Sequence, residues 1–133
     1  MNLHPTGETI MHNILLIEDD ESIALMITMA LAKYGFNIEI ASDGKEGVKK
    51  FKEGCYDLVI TDIRMPRLNG TGVVQYVRKS KKKCTPVIGI SGTPWLFGEG
   101  DFDAVLSKPF SITELVNTVN NLTVSVLNST AIS

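Results

Sequence analysis

The chain has 133 residues, of which 44% are hydrophobic, and its 13 basic and 15 acidic side chains give a formal net charge of −2. This length fits one domain with one core, and the near-neutral charge excludes a strongly basic surface that would hold nucleic acid or an anionic membrane. No apolar run reaches the ~20 residues of a membrane span and no export signal begins the chain, so we expect a cytoplasmic protein without membrane contact.

The two ends of the chain differ from its middle. Residues 1–11 mix Pro, Gly and Thr without apolar periodicity, and we expect a flexible leader there. A single folded domain should cover 12–127, with a flexible tail at 128–133. Cys55 and Cys84 have neither the spacing of metal ligands nor the density of a disulfide scaffold, so we expect reduced, partly buried thiols.

From residue 12 onwards, short β-rich runs alternate with amphipathic stretches, which predicts an α/β fold with a parallel sheet covered by helices on both faces. The predicted strands lie at about 13–18, 36–41, 57–62, 86–91 and 104–107. The predicted helices lie at about 21–34, 44–53, 71–80 and from 112 onwards.

Several local signals set the ends of these helices. In the first helix one apolar stripe recurs at helical spacing, formed by Ile23, Met26, Ile27, Ala30, Leu31 and Tyr34. Gly35 is its stop signal, and Asp20 and Glu21 suit the positive N-terminus. Capping boxes are predicted from two further pairs, Asp43 with Glu46 and Ser111 with Glu114.

Polar residues end four of the predicted strands. Glu18 and Asp19 follow the first strand, and Asp62, Ser91 and Lys108 stand at or just after the ends of three others. Because the carboxyl ends of parallel strands meet at one edge of a sheet, we expect these side chains to share a crevice. Crowded carboxylates repel one another unless a cation lies among them, and carboxylate oxygens suit Mg²⁺.

This set of residue types fits phosphoryl transfer. Asp62 is the candidate nucleophile, since a carboxylate can take a phosphoryl group as an acyl phosphate. Lys108 supplies a flexible positive charge and Ser91 a hydroxyl donor, while Gly92 leaves room for an incoming phosphodonor.

Four segments of the sequence resemble the signature regions of response-regulator receiver domains. They are ILLIEDDES, DLVITDIRMPRLNG, PVIGISG and LSKPF, in family order, and the resemblance spans about residues 12–123. It implies a flavodoxin-like receiver fold, a doubly wound five-stranded parallel sheet of order 2-1-3-4-5. It also implies a cis Lys108–Pro109 bond.

The resemblance assigns roles to the candidate residues. Asp62 would be the phospho-acceptor, loaded from a phosphohistidine on a sensor histidine kinase or a histidine phosphotransfer protein. Asp19 and Asp62 would bind Mg²⁺ directly, Glu18 through water, and Arg64 through its backbone carbonyl. The side chains that touch the phosphoryl oxygens would be those of Ser91 and Lys108.

The chain departs from the family pattern near its C-terminal end. Val105 stands where the family usually has Tyr or Phe, and only sixteen residues separate Ser91 from Lys108. The segment 92–103 is rich in helix breakers, so the fourth helix should be shortened or missing. In this segment Trp95, Leu96 and Phe97 either form an apolar partner patch or fold back over the sheet.

The sequence therefore predicts a phosphorylation-dependent signalling switch of a two-component or phosphorelay system. With no output domain attached, it would act by binding a downstream target protein, and it would turn over no separate substrate, so it is not an ordinary enzyme. The basic run at 78–83 should complement a helix C-terminus rather than bind DNA directly.

Two other functions fit parts of the pattern. A degenerate receiver would be a constitutive protein-interaction module, which Val105 and the short 92–103 segment favour. A phosphoester hydrolase with an aspartyl nucleophile usually has a second acid two residues later, where this chain has Arg64.

Overall fold

The computed structural model describes residues 2–3, 9–10, 12–65, 68–93 and 101–132, with side chains described in these ranges between 12 and 123. Two short strands, β1 (Asn2–Leu3) and β2 (Thr9–Ile10), pair antiparallel near the N-terminus. Five longer strands form one sheet: β3 (His12–Ile17), β4 (Phe36–Ala41), β5 (Leu58–Asp62), β6 (Val87–Ser91) and β7 (Ala104–Ser107).

The sheet has the predicted topology. Its order is β4-β3-β5-β6-β7 and every neighbouring pair is parallel, which confirms the order 2-1-3-4-5 for the five strands of the domain. Parallel neighbours place all five carboxyl ends at one edge, and the order reverses direction between β3 and β5. Ligand crevices of such sheets lie at this edge, at the point of reversal.

Four helices flank the sheet in the described part of the chain: α1 (Glu21–Ala32), α2 (Gly44–Glu53), α3 (Gly70–Lys79) and α4 (Ile112–Ile132). Both predicted N-terminal caps are present: Asp43 accepts from the Glu46 amide, and Ser111 accepts from the Glu114 amide. The Asp20 side chain also caps α1 by accepting from the Ser22 and Ile23 amides. Gly35 has a φ of 87°, which favours glycine after a helix. Helix α4 runs beyond residue 127, so the backbone of the expected tail is helical to Ile132.

No described residue between Ser91 and Ala104 is helical, in agreement with a shortened or missing fourth helix. Residues 94–100 lie outside the described residues, and so does the prediction made for Trp95, Leu96 and Phe97. Val105 is half-buried and packs against the cluster that includes Phe102.

Two apolar clusters cover the two faces of the sheet. Strand β3 feeds both, because alternate side chains point to opposite faces: Leu16 belongs to one cluster, and Leu15 and Ile17 to the other. The first cluster packs against α1 and α4, and the second against α2 and α3. The sheet is thus buried on both faces, as the alternation of β-rich runs with amphipathic stretches predicted.

Helix α1 has a second, exposed apolar face. The residues that it buries are Ala24, Ile27, Ala30 and Leu31. Met26 and Tyr34, which belong to the predicted apolar stripe, are 41% and 54% exposed, so the stripe is only partly buried. Their neighbours Leu25 and Met29 are exposed as well. Helical spacing identifies apolar positions but does not say which of them a partner element covers.

Two surface predictions have different outcomes. Cys55 and Cys84 are free, but both are exposed, so the expected partial burial is wrong; each lies outside the regular elements, where little packs over it. In the basic run, Lys82 donates to the backbone carbonyls of Phe51 and Gly54 and so complements the C-terminus of α2, while the expectation about DNA stays a prediction. None of the helices in the described part of the chain is both long and apolar enough to cross a membrane.

Candidate functional site

The polar residues at the strand ends converge on one point. Lys108 Nζ lies 2.9 Å from Asp62 Oδ2 and 3.8 Å from Glu18 Oε1, so residues from three different strand ends meet. The amide of Lys108 donates to the Ser91 carbonyl at 2.8 Å, which fixes the lysine beside the end of β6. The Lys108–Pro109 peptide bond is cis, as the resemblance implied.

Glu18 is the most buried acid of the group, with 3% of its surface exposed. Its Oε2 accepts from the Asp20 amide at 3.1 Å, whereas its Oε1 is buried and has no hydrogen-bond partner among the described residues. Burial, helped by the negative charge of Asp62, raises the pKa of Glu18 to about 7. The cluster therefore holds one carboxylate oxygen that needs a further positive or donor group.

The same environment favours the charged form of Lys108, whereas it favours the neutral form of Glu18. Burial by itself would lower the pKa of its ammonium group, but the hydrogen bond to Asp62 and the charges of Asp62, Glu18 and Asp19 outweigh burial and raise that pKa. Lys108 thus stays positive, and this one charge faces a cluster of three acids.

The three acids form a cluster whose geometry suits a hard divalent cation. Glu18, Asp19 and Asp62 each offer one carboxylate oxygen, and these oxygens all lie within 4.8 Å of one another. Oxygen ligands, an unpartnered buried oxygen and an exposed Asp19 fit Mg²⁺, which keeps several waters and takes few protein ligands.

Two further predicted residues lie at the site but make other contacts. The Arg64 amide donates to Asp62 Oδ1 at 3.3 Å, while the role of the Arg64 carbonyl stays a prediction. Ser91 is buried, and its Oγ accepts from the Thr93 amide at 3.0 Å and lies 3.5 Å from Thr93 Oγ1. The structure therefore brings Glu18, Asp19, Asp62 and Lys108 into direct proximity and holds the Ser91 hydroxyl against Thr93.

Close backbone packing around the loop after Asp62 was not apparent from the sequence. The Gly70 amide donates to the Ile63 carbonyl at 2.8 Å, and a methyl group at Gly70 would lie 2.7 Å from the Asp62 carbonyl oxygen. A methyl group at Gly44 would lie 1.8 Å from the Leu68 carbonyl oxygen. Glycine in these positions was the one available signal, and it does not identify the neighbour.

Comparison with known proteins agrees with this geometry. The family model for the response regulator receiver domain matches residues 14–120. The chain belongs to this family. As a receiver domain it has a signalling role that depends on phosphorylation, and receiver domains interact with histidine kinases or phosphotransfer proteins.

The receiver domain is similar to curated response regulators and to solved receiver structures. It is 40% identical over 111 residues to the uncharacterized transcriptional regulatory protein YcbL of Bacillus subtilis, a match that covers 76% of this chain and 46% of YcbL. Against the response regulator TrrA of Thermotoga maritima, solved in complex with Mg²⁺ and BeF, it is 33% identical with a TM-score of 0.77, covering 84% of this chain and 98% of TrrA.

The chemotaxis response regulator CheY4 of Vibrio cholerae is 29% identical with a TM-score of 0.80, and the match covers 85% of this chain and 99% of CheY4. In contrast, the chain spans about half the length of the curated relatives it matches. The similarity to these relatives therefore concerns the receiver part alone.

Proposed function

We propose that this receiver domain accepts a phosphoryl group on Asp62 from a phosphohistidine, with Mg²⁺ present, and that the modified form acts on a downstream target protein. The observation that carries the proposal is the contact between Lys108 Nζ and Asp62 Oδ2 inside a cluster of carboxylates. A lysine fixed on one acid among three supplies charge where a phosphoryl group would add negative oxygens.

The transfer exchanges one phosphorus bond for another. A carboxylate oxygen of Asp62 attacks phosphorus, the bond between phosphorus and the histidine nitrogen breaks, and the imidazole leaves with that electron pair and takes up a proton. Lys108 turns its ammonium hydrogens towards the transferred group. The Ser91 hydroxyl, which accepts from Thr93, can still donate its own hydrogen to a phosphoryl oxygen.

Glu18, Asp19 and Asp62 are the side chains that would hold the metal ion, with the Arg64 carbonyl as the remaining predicted ligand. When bound, Mg²⁺ supplies positive charge that neutralises phosphoryl oxygens. The unpartnered Oε1 of Glu18 supports this assignment, because a buried carboxylate oxygen without a donor is costly unless a cation or water reaches it.

The donor protein would dock on the exposed apolar face of α1. This surface consists of Leu25, Met26, Met29 and Tyr34, and together with Ile112 at the start of α4 it lines a groove of about 590 Å³. Met26 also lines the adjoining groove formed with Lys108, Pro109 and Phe110. The apolar surface is thus continuous with the acceptor site, so a donor helix seated on it would carry its phosphohistidine towards Asp62.

The domain would modify only itself and turn over no separate substrate. A small donor with a phosphorus–nitrogen bond tests the proposed transfer to Asp62: the chain is incubated with phosphoramidate and Mg²⁺, and its intact mass is measured. We expect one phosphate adduct in the wild type, none in Asp62→Asn, and an unchanged adduct in Asp57→Asn, which alters an exposed aspartate at the other end of β5.

Three results would contradict the proposal. A wild type that never forms the adduct would favour the degenerate, constitutive interaction module. Continuous release of phosphate from generic phosphoesters, with rates that depend on Asp62, would favour the hydrolase. An adduct that survives in Asp62→Asn would place the acceptor elsewhere.

A further inference from the structure

The ring of Phe102 fills a recess over strand β6. Phe102 is 9% exposed and stands two residues before β7. A methyl group at Gly89 would lie 3.0 Å from Phe102 Cδ1 and Cε1 and 3.0 Å from Ile63 Cδ1. Phe102 and Ile63 therefore share one recess that exists because residue 89 has no side chain.

Ile63 connects this recess to the acceptor. It directly follows Asp62 and is 1% exposed. Its amide donates to the Ile90 carbonyl at 2.9 Å, and its carbonyl accepts from the Gly70 amide at 2.8 Å. Ile63 is thus held to β6 on one side and to the start of α3 on the other. Because it is covalently bonded to Asp62, it is the first residue that a displacement of the Asp62 backbone would move.

Arg78, near the end of α3, fixes the backbone on both sides of Phe102. Its Nε and Nη2 donate to the Asp101 carbonyl at 3.2 and 2.8 Å, and its Nη2 donates to Asp103 Oδ2 at 2.6 Å. Its Nη1 donates to the carbonyls of Lys83 and Thr85. One guanidinium group therefore ties the residues before and after Phe102 to the end of α3.

Asp103 is held a second time by β6. Its amide donates to the Val87 carbonyl at 2.9 Å, and its Oδ2 accepts from the Val87 amide at 2.7 Å. Phe102 is consequently the side chain between two anchored residues. Its ring cannot follow a displacement of Ile63 unless it repacks or residues 101–103 move together with Arg78.

We propose that Phe102 is a positioning residue that transmits the state of Asp62, through Ile63, to residues 101–103 and Arg78. The inference rests on the proposed function, because it requires that Asp62 be modified. A phosphoryl group adds roughly −1.5 to −2 of charge at the acceptor, and close-packed side chains answer such a change by discrete repacking rather than gradual deformation. The shared recess at Gly89 is where that repacking would begin.

The wild type itself provides the first test, by NMR with Mg²⁺ and beryllofluoride as the phosphoryl stand-in. Bound fluoride is followed by its ¹⁹F signals, and the response of the protein by the Ile63 methyl group, the Phe102 ring, the Asp103 amide and the Arg78 Nε–H. We expect all four protein signals to shift when the bound fluoride signals appear.

Two leucine variants then separate transmission from general loosening of the core. In Phe102→Leu, beryllofluoride should still bind and shift Ile63, while Arg78 and Asp103 lose most of their shift. Phe36→Leu is the matched control: Phe36 is also buried, at 6% exposed, but it belongs to the cluster on the other face of the sheet. It should leave the Arg78 and Asp103 shifts as in the wild type.

The outcomes distinguish the two proposals. If beryllofluoride binds the wild type and Arg78 and Asp103 do not respond, or if their full response persists in Phe102→Leu, the transmitting role of Phe102 is overturned and the proposed function stands. If no bound fluoride signal appears in the wild type, the proposed function is overturned and the transmitting role with it.

Discussion

Lys108 Nζ donates a hydrogen bond of 2.9 Å to Asp62 Oδ2, although the two residues are 46 positions apart in the sequence. The contact depends on the parallel sheet, because the lysine follows β7 and the aspartate ends β5, with only β6 between these strands. The same ammonium lies 3.8 Å from Glu18 Oε1. Lys108 therefore lies within ion-pair distance of two of the three acids at the site.

Replacing this lysine should slow phosphorylation without unfolding the domain. In Lys108→Met the charge that faces the incoming phosphoryl oxygens is lost, and losing one charge-assisted contact of ~1.4 kcal/mol in the transition state costs about tenfold in rate. We expect a decrease of at least this size in the initial rate of adduct formation with phosphoramidate. Lys49→Met, at an exposed position on α2, should react like the wild type. Equal rates in both variants would show that Lys108 has no part in the transfer.

The buried carboxyl of Glu18 predicts a pH-dependent effect on stability. Because burial raises its pKa from 4.5 to about 7, the folded state holds the proton more tightly than the unfolded state does. That stabilisation is complete below about pH 4.5 and is lost as the pH rises through 7. In metal-free buffer, Glu18→Gln should therefore gain about 1–2 kcal/mol of unfolding free energy relative to the wild type between pH 5 and pH 8.

Glu46 offers a control of opposite sign. Its side chain accepts from the Ser42 amide and hydroxyl, and these bonds lower the pKa of Glu46. Its contribution is complete once it is ionised and is lost only at acidic pH, so the cost of Glu46→Gln should stay constant between pH 5 and pH 8. Urea denaturation at both pH values measures the two differences. A gain for Glu18→Gln that shrinks as the pH rises would contradict the assignment.

Magnesium should raise the unfolding free energy of the domain at neutral pH through the acidic cluster. A ligand that binds only the folded state at 100 times its Kd raises the unfolding free energy by about 2.7 kcal/mol. We expect such a rise with Mg²⁺ for the wild type, a much smaller one for Asp19→Asn, and the full effect for Glu53→Gln, which alters an exposed acid at the end of α2. Equal stabilisation of all three proteins would place magnesium binding outside the acidic cluster.

Much of the site could be predicted from the sequence because strand topology alone brings its residues together. The strands could be recognised from apolar runs, and parallel strands bring Glu18, Asp62 and Lys108 to one edge whatever the details of packing. Strand boundaries differed by a residue, as for β3, which ends at Ile17 rather than at Glu18. A difference of one residue does not change which edge of the sheet carries these side chains.

Other features depended on contacts that no local pattern encodes. The exposure of Met26 and Tyr34 depends on which elements pack against α1, since both faces of this helix carry apolar side chains. The bond between Ser91 and Thr93, and the ring of Phe102 over Gly89, depend on side-chain placement across loops. Periodicity reports the chemical character of a position, and tertiary packing selects its neighbour.

Helix α2 packs closely against the loop between β5 and α3, so a glycine-to-alanine change at this contact should lower the unfolding free energy. A methyl group at Gly44 would lie 1.8 Å from the Leu68 carbonyl oxygen, so backbone must move to admit it. We expect Gly44→Ala to lower the unfolding free energy by roughly 1–3 kcal/mol, the usual cost of overpacking. Helix propensity alone would favour alanine over glycine by up to about 1 kcal/mol.

Gly72 is the matched control for that change. A methyl group there would lie 2.4 Å from Leu68 Cδ1, which is the end of a flexible side chain. Since this tip can rotate away and alanine favours the helix, Gly72→Ala should stay within about 1 kcal/mol of the wild type. Urea denaturation compares the pair. Equal stabilities would mean that the Gly44 contact relaxes as easily as a side chain.

The exposed apolar face of α1 predicts a defect that depends on the phosphodonor. Met29 is 57% exposed and lies in the groove that continues through Met26 to Lys108. A charge in Met29→Glu should weaken docking of an apolar donor helix but leave the acceptor chemistry intact, because Met29 does not belong to the acidic cluster. From a histidine kinase that phosphorylates the wild type, transfer should slow by about tenfold or more, equivalent to ~1.4 kcal/mol.

Phosphoramidate should modify Met29→Glu and the wild type at the same rate, since this small donor needs no docking surface. A parallel loss with both donors would indicate damage to the fold or to the acceptor, and unchanged transfer from the kinase would place donor docking on another face.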